Sequence, residues 1–256
     1  MDRMVSVAQS EVRWDGAVNA WHIAGSVYRM GRREWLTEVG WRQMYDDGVR
    51  TVIDLRTLRE QQPRDTDPQV STEATSRFDI VHCPTEDPDS EEFTELFGPY
   101  LKDPAHYADY LRLFPDKLAA VFQAIAMAPA GVVIHCAAGR DRSGIIAVML
   151  QNLAGIDDQE IVRGYQQGMR GINERHRNHP APHAHDGFLE DDALERMLAS
   201  RTSSLLEFVG SLDAAAFLAE NSLSAEQIAA LRAKLSAPAV PVAPKPAARR
   251  RRTLRN

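Results

Sequence analysis

Ten residues, His135-Cys136-Ala137-Ala138-Gly139-Arg140-Asp141-Arg142-Ser143-Gly144, lie between the apolar run Gly131-Val132-Val133-Ile134 and the apolar segment Ile145 to Leu150. The first run reads as a buried strand and the second as the start of a buried helix. A strand, a tight loop and a helix in immediate succession commit the chain to a sheet carrying helices on its faces. Five residues separate Cys136 from Arg142, enough for the backbone to curl until the amides of Ala137 to Arg142 point at one tetrahedral anion. The planar fork of Arg142 matches two phosphate oxygens at once. The same amides, the helix N-terminus and the Arg142 charge favour a thiolate at Cys136. Ser143 is placed to donate its hydroxyl to that sulfur, while Gly139 and Gly144 admit close packing that a Cβ would obstruct. His135 is expected to brace the loop by hydrogen bonds. The expected phosphate-binding set is therefore Ala137, Ala138, Gly139, Arg140, Asp141 and Arg142, with Cys136 as nucleophile.

These residues resemble those of the cysteine-dependent protein-tyrosine phosphatases. More narrowly, His-Cys-x-Ala-Gly-x-Asp-Arg-Ser-Gly looks like an atypical bacterial branch whose mycobacterial and listerial members act on phosphotyrosine, phosphoserine/threonine and phosphoinositides. The run Gly48-Val49-Arg50-Thr51-Val52-Ile53-Asp54-Leu55-Arg56, with Glu60 following, is similar to that branch's Asp-Leu-Arg strand. Val27-Tyr28-Arg29 before a helix fits the same pattern, and the similarity spans about residues 15 to 175. Arg140 stands where the branch usually has Lys, which keeps the charge and changes its shape. The resemblance implies an α/β fold with a central, mostly parallel sheet flanked by helices, a helical lid and C-terminal helices. It also implies a metal-independent reaction through a cysteinyl-phosphate, with Asp141 as general acid. Asp54, at the end of a neighbouring strand, competes for that role or orients Arg142 by an ion pair. Arg140 is expected to project toward the substrate's surroundings, where a second cation favours polyanions.

Elsewhere, a short hairpin is expected around Trp14-Asp15-Gly16, then a strand from Ile23 to Tyr28. Glu34 to Tyr45 has helical periodicity and stops before Gly48, leading into a strand from Thr51 to Leu55. Phe78 to His82 reads as a further strand, and Ala105 to Met127 as a helix broken near Pro115. Helices are expected from Ser143 to about Ala154 and from Asp157 to about Gly168. Ligands sit at the carboxyl ends of strands in such sheets, which puts Asp54, Cys83 and Cys136 on one rim. The catalytic domain is expected at 1–175. Within it, residues 87–110, with Phe93, Leu96, Phe97, Tyr100, Tyr107 and Tyr110 amid acids, are a candidate lid. A His-rich loop at 176–187 and a C-terminal helical region at 188–236 follow, the latter with helices over Phe188 to Phe208 and Ala214 to Leu235.

The chain carries a formal charge of −6, yet residues 237–256 hold six Lys or Arg and no acid, so the remainder carries −12. The tail's prolines disfavour regular structure, giving a disordered arm. It is either simply solvated or attracted to anionic lipid, and no specific nucleic-acid partner is expected. Two cysteines are too few for a disulfide framework and suit a reducing, cytoplasmic compartment. Cys83 reads as an inert buried thiol, with a protective disulfide to Cys136 as the alternative. His176, His179, His183 and His185 are interrupted by Pro180, Pro182 and Gly187, so the tract lacks ligand geometry, and no metal or cofactor is expected. The leading reading is a phosphomonoester hydrolase acting on phosphorylated protein or another phosphomonoester. A small-metabolite phosphatase for sugar or nucleoside phosphates and a non-catalytic phosphate-binding module stay open beside it.

Overall fold

Strands β1 (Trp21–Ala24), β2 (Val27–Met30), β3 (Val49–Asp54), β4 (Asp79–His82) and β5 (Gly131–His135) form one sheet in the order β1-β2-β5-β3-β4. In this computed structural model residues 10–179 and 187–237 are described. All strand pairings are parallel except that of β1 with β2. Successive side chains of a strand face opposite sides. Val132 and Ile134 accordingly enter one apolar cluster and Val133 the other. Burial on both faces explains why β5 is a continuous apolar run rather than an alternating one.

Helices α1 (Glu38–Asp46) and α2 (Thr72–Thr75) follow β2 and β3 in the chain. α1 contributes Trp41 and Met44 to the cluster that holds Tyr28, Met30 and Val133. α3 (Glu91–Phe97), α4 (Tyr107–Leu113), α5 (Pro115–Met127), α6 (Arg142–Leu153) and α7 (Asp158–Asn178) add side chains to the opposite, larger cluster. The last three helices, α8 (Asp191–Ser211), α9 (Ala214–Glu220) and α10 (Ala225–Ser236), enter that same cluster through residues such as Leu205, Leu218 and Leu231. α8 packs on α7, α9 on α6 and α10 on α5. Lys234 of α10 donates to the carbonyls of Ala128 and Ala130 at 2.9 and 2.7 Å, just before β5. Among the described residues no single helix is long and apolar enough to cross a membrane.

Several boundaries depart from the sequence reading for local reasons. Ile23 to Tyr28 is a hairpin rather than one strand, because Gly25 turns the chain with φ +58°, a region open to glycine. Around Asp15-Gly16 the chain does turn back, with Val12 donating to the Ala20 carbonyl at 3.0 Å. The helix expected from Glu34 is a 3-10 turn over Arg33–Trp35, after which Thr37 caps α1 by accepting from the Gly40 amide. The interruption near Pro115 falls between α4 and α5, as expected. α7 runs well past Gly168, and His176, placed in a loop by sequence, lies in its last turn. Gly168 and Gly171 are close-approach points rather than terminators. A Cβ there would meet Arg29 Nη2 and Asn19 Oδ1, each at 2.7 Å. Ala214 to Leu235 divides into α9 and α10 at Ser222, whose φ is +72°, and Ser224 with Gln227 then forms a capping box. His183, His185 and the basic tail from residue 238 lie outside the described residues.

Candidate active site

The carboxyl ends of β3, β4 and β5 bring Asp54, Cys83 and Cys136 to one rim, as expected of a parallel sheet. Cys136 is buried, and its Sγ lies 3.5 Å from Ser143 Oγ. α6 begins at Arg142, so its positive end sits beside the sulfur. The intervening loop is held from outside. Gly139 has φ +67°, and a Cβ on it would fall 2.5 Å from the Gly31 amide nitrogen, so backbone meets backbone there. Arg32 donates its amide to the Ala137 carbonyl at 3.1 Å. Asn19 Nδ2 donates to the carbonyls of Ala138, Gly139 and Gly168 at 3.1, 2.8 and 3.0 Å, tying the loop to α7.

Arg142 is buried and aimed by two acids. Glu60 accepts from both of its terminal nitrogens at 2.8 and 2.6 Å, and Glu86 lies 3.2 Å from Nη1. Burial pushes the Glu60 carboxyl up, but hydrogen bonding and charge from Arg142 outweigh it and hold the group below the ordinary carboxylate range. Glu86 is the reverse case. Burial dominates and raises it despite Arg142. Neither acid was assigned this part from sequence. Glu60 was visible only as a companion of the Asp-Leu-Arg strand, and nothing distinguishes Glu86 among the acids of its segment.

Asp54 does not reach Arg142. Its two oxygens accept from Arg56 Nε and Nη2 at 2.9 and 2.8 Å, because the side chain two residues on folds back over it. Burial opposes ionisation of Asp54, yet its bonds to Arg56 and the neighbouring charges bring it down to about 2. The expected ion pair with Arg142 is therefore replaced by one with Arg56. His135 is fully buried, with Nε2 3.5 Å from Asp54 Oδ2 and Nδ1 3.4 Å from the Cys136 carbonyl. Burial lowers it to about 4 against the pull of Asp54, so it is neutral at physiological pH.

Asp141 shares the cavity with Cys136 and Arg142. Its Oδ2 accepts from Arg140 Nε at 2.6 Å, while buried Oδ1 has no hydrogen-bond partner among the described residues. Arg140 lines the same cavity and is buried against the adjacent Asp141 carboxylate. The cavity measures about 220 Å³ and is also lined by Pro88, Pro99, Tyr100 and Leu101. These are the parts of the candidate lid that reach the site. Phe93, Phe97, Tyr107 and Tyr110 instead lie in the main core. Cys83 is half-buried and reduced, and burial pushes its thiol up. No group of three or more His, Cys, Asp or Glu among the described residues is arranged to hold a metal ion.

A cavity lined by Cys136, Asp141 and Arg142, with the Ser143 hydroxyl against the sulfur, brings together the groups that phosphoryl transfer uses. A "Tyrosine-protein phosphatase" of Nostoc commune is 36% identical over 128 residues, covering 46% of this chain. The chain spans only 40% of the length of that relative. Among solved structures, TpbA of P. aeruginosa aligns over 84% of this chain and 98% of its own, with 16% identity and a TM-score of 0.40. The catalytic core of the PP-IP phosphatase SIW14 of S. cerevisiae aligns over 79% of this chain and 94% of its own, with 12% identity and a TM-score of 0.39. The model of the tyrosine phosphatase family matches residues 20–237, which takes in every strand and helix described above, and the chain belongs to that family.

Proposed function

We propose that this chain hydrolyses phosphomonoesters through a cysteinyl-phosphate at Cys136, with phosphotyrosine in proteins as its principal substrate. One juxtaposition carries the reading: Cys136, Asp141 and Arg142 line a single cavity, and Oδ1 of Asp141 has no hydrogen-bond partner among the described residues. The sulfur attacks phosphorus and the ester P–O bond breaks. Arg142 and the loop amides take the charge of the equatorial oxygens. Asp141 protonates the departing oxygen, a role for which Asp54 is poorly suited while bound by Arg56 and held at about 2. Water then attacks the phosphocysteine, Asp141 accepts its proton, and the S–P bond breaks to release phosphate and the thiolate, hydrogen-bonded by Ser143.

The sequence likeness to the atypical bacterial branch extends this reading to phosphoserine/threonine and phosphoinositides, and to a cytoplasmic enzyme that needs no metal. The test is phosphate release from phosphotyrosine, phosphoserine, phosphoinositide and sugar-phosphate substrates in the presence of a chelator. Native protein is expected to act best on phosphotyrosine, Cys136→Ser to be inactive, and Asp141→Asn to lose most on poor leaving groups. Activity that survives Cys136→Ser overturns the mechanism, and a preference for sugar or nucleoside phosphates replaces the protein substrate with a metabolite.

A further inference from the structure

Arg29 of β2 is buried with no acid to match it. Side chains of β2 alternate, so Tyr28 and Met30 enter the smaller apolar cluster, while Arg29 faces the side of Val27 and the larger one. Its register partner on β5 is Ile134, two residues before Cys136. The guanidinium lies between the first turn of α6 and the middle of α7. Nη2 donates to the Gly164 carbonyl at 2.7 Å, and a Cβ on Gly144 would fall 3.7 Å from Nη1. Nε has no hydrogen-bond partner, and no carboxylate lies within ion-pair distance among the described residues. A buried cation without a counter-charge is costly. Burial brings Arg29 down to about 10 against the pull of Tyr107, Cys136, Tyr165 and Asp141, so it stays charged at neutral pH. The two phenols cannot answer it, because burial raises both and keeps them neutral. Of the other two groups, the sulfur acts on Arg29 more strongly, and Asp141 already holds Arg140. Arg142 is differently placed. Glu60 accepts from both of its terminal nitrogens and Glu86 lies against Nη1, so much of its charge is neutralised before any phosphate arrives.

We propose that Arg29 is a positioning residue for the nucleophile, holding the Cys136 sulfur as its thiolate from beneath the loop and leaving Arg142 for the phosphate. The inference takes Cys136 as the attacking group and so rests on the phosphatase reading above. Tyr110 and Ser143 also face the sulfur, and neither carries a charge. Gly168 serves the same arrangement, since a Cβ there would fall 2.7 Å from Nη2 and push the guanidinium out of place.

The experiment follows alkylation of Cys136 by iodoacetamide against pH, read at the peptide that carries it so that Cys83 does not enter. Removing the charge in Arg29→Met and Arg29→Gln should raise the midpoint of that profile by about one pH unit. On a phosphotyrosine peptide, kcat/KM should fall about tenfold below the midpoint and far less above it. Arg29→Lys returns a cation to the same place and should keep the midpoint within about 0.3 of wild type. It carries the test by itself where thermal unfolding shows that neither neutral variant folds. Alkylation needs no turnover, so a raised midpoint supports the role of Arg29 even where no phosphate is released, and the two readings fail separately. A role confined to packing lowers Tm and leaves the midpoint in place. That result overturns the proposal, as does a shift in Arg29→Lys as large as in the neutral variants. Movement of the alkaline limb of kcat/KM alone, which reports the acid rather than the nucleophile, overturns it too.

Discussion

Asn19 is the side chain whose loss should most clearly separate loop support from chemistry. It touches neither Cys136 nor Arg142 but holds the catalytic loop and α7 through three carbonyls, while its own Oδ1 accepts from Trp21 Nε1 at 2.8 Å. Its backbone is left-handed, with φ +56°. Asn19→Gly keeps that conformation accessible and removes every one of these bonds. The amide has two hydrogens, so two full bonds are lost along with the Trp21 acceptor. At about 1 kcal/mol each this sums to roughly 2–3 kcal/mol of stability. For a chain of this size that is a fall in Tm of about 5–10 °C. Freed carbonyls let the loop amides rotate away from the anion, and kcat/KM should drop by about tenfold or more. Asn19→Asp should be worse in both assays, because it turns a carboxylate toward three carbonyl oxygens. Thermal unfolding and steady-state kinetics on a phosphotyrosine peptide measure both effects. An Asn19→Gly protein that melts with the wild type and keeps its kcat/KM refutes the brace.

Two further outcomes follow from the loop and the groups beneath it. Gly139→Ala should leave the protein folded yet lower kcat/KM by about a hundredfold, because its Cβ meets the backbone of Met30 and Gly31; near-native kinetics would show that the loop relaxes without loss. His135 is held near 4 in the folded chain against about 6.5 unfolded, so its neutral form is favoured by folding. That contribution is complete above about pH 6.5 and lost as pH falls toward 4. Asp54 and Glu34, each depressed to about 2, contribute fully above about pH 4 and lose it below. The urea midpoint should therefore fall from pH 7.5 to pH 5, with a shallower slope in His135→Asn; equal slopes would remove His135 as the cause.

The strands and the nucleophilic loop were legible because their signals are local. β5 lies at the centre of the sheet and reads as an apolar run, β3 beside it is rich in β-branched residues, and Cys136, Arg142 and Ser143 declare themselves by spacing alone. What aims these groups is not local. Glu60 meets Arg142 across 82 positions, and Asn19 meets Gly139 across 120. No periodicity reports such contacts. Two of the errors came from glycines, whose two uses look identical in a sequence. Gly25 was passed over although it turns the chain, while Gly168 was taken as an end although it only makes room for Arg29. The Asp54–Arg142 pair failed because Asp54 took the nearest opposite charge along the chain, Arg56.

Lys234 secures the carbonyls of Ala128 and Ala130 from 106 and 104 positions downstream. Synthesis proceeds from the other end, so the strand that delivers the nucleophile leaves the ribosome well before its final clasp exists. Until α10 arrives, the apolar flank of α5 stays uncovered, and the nascent enzyme passes through a stage with its reactive loop made but its scaffold unfinished.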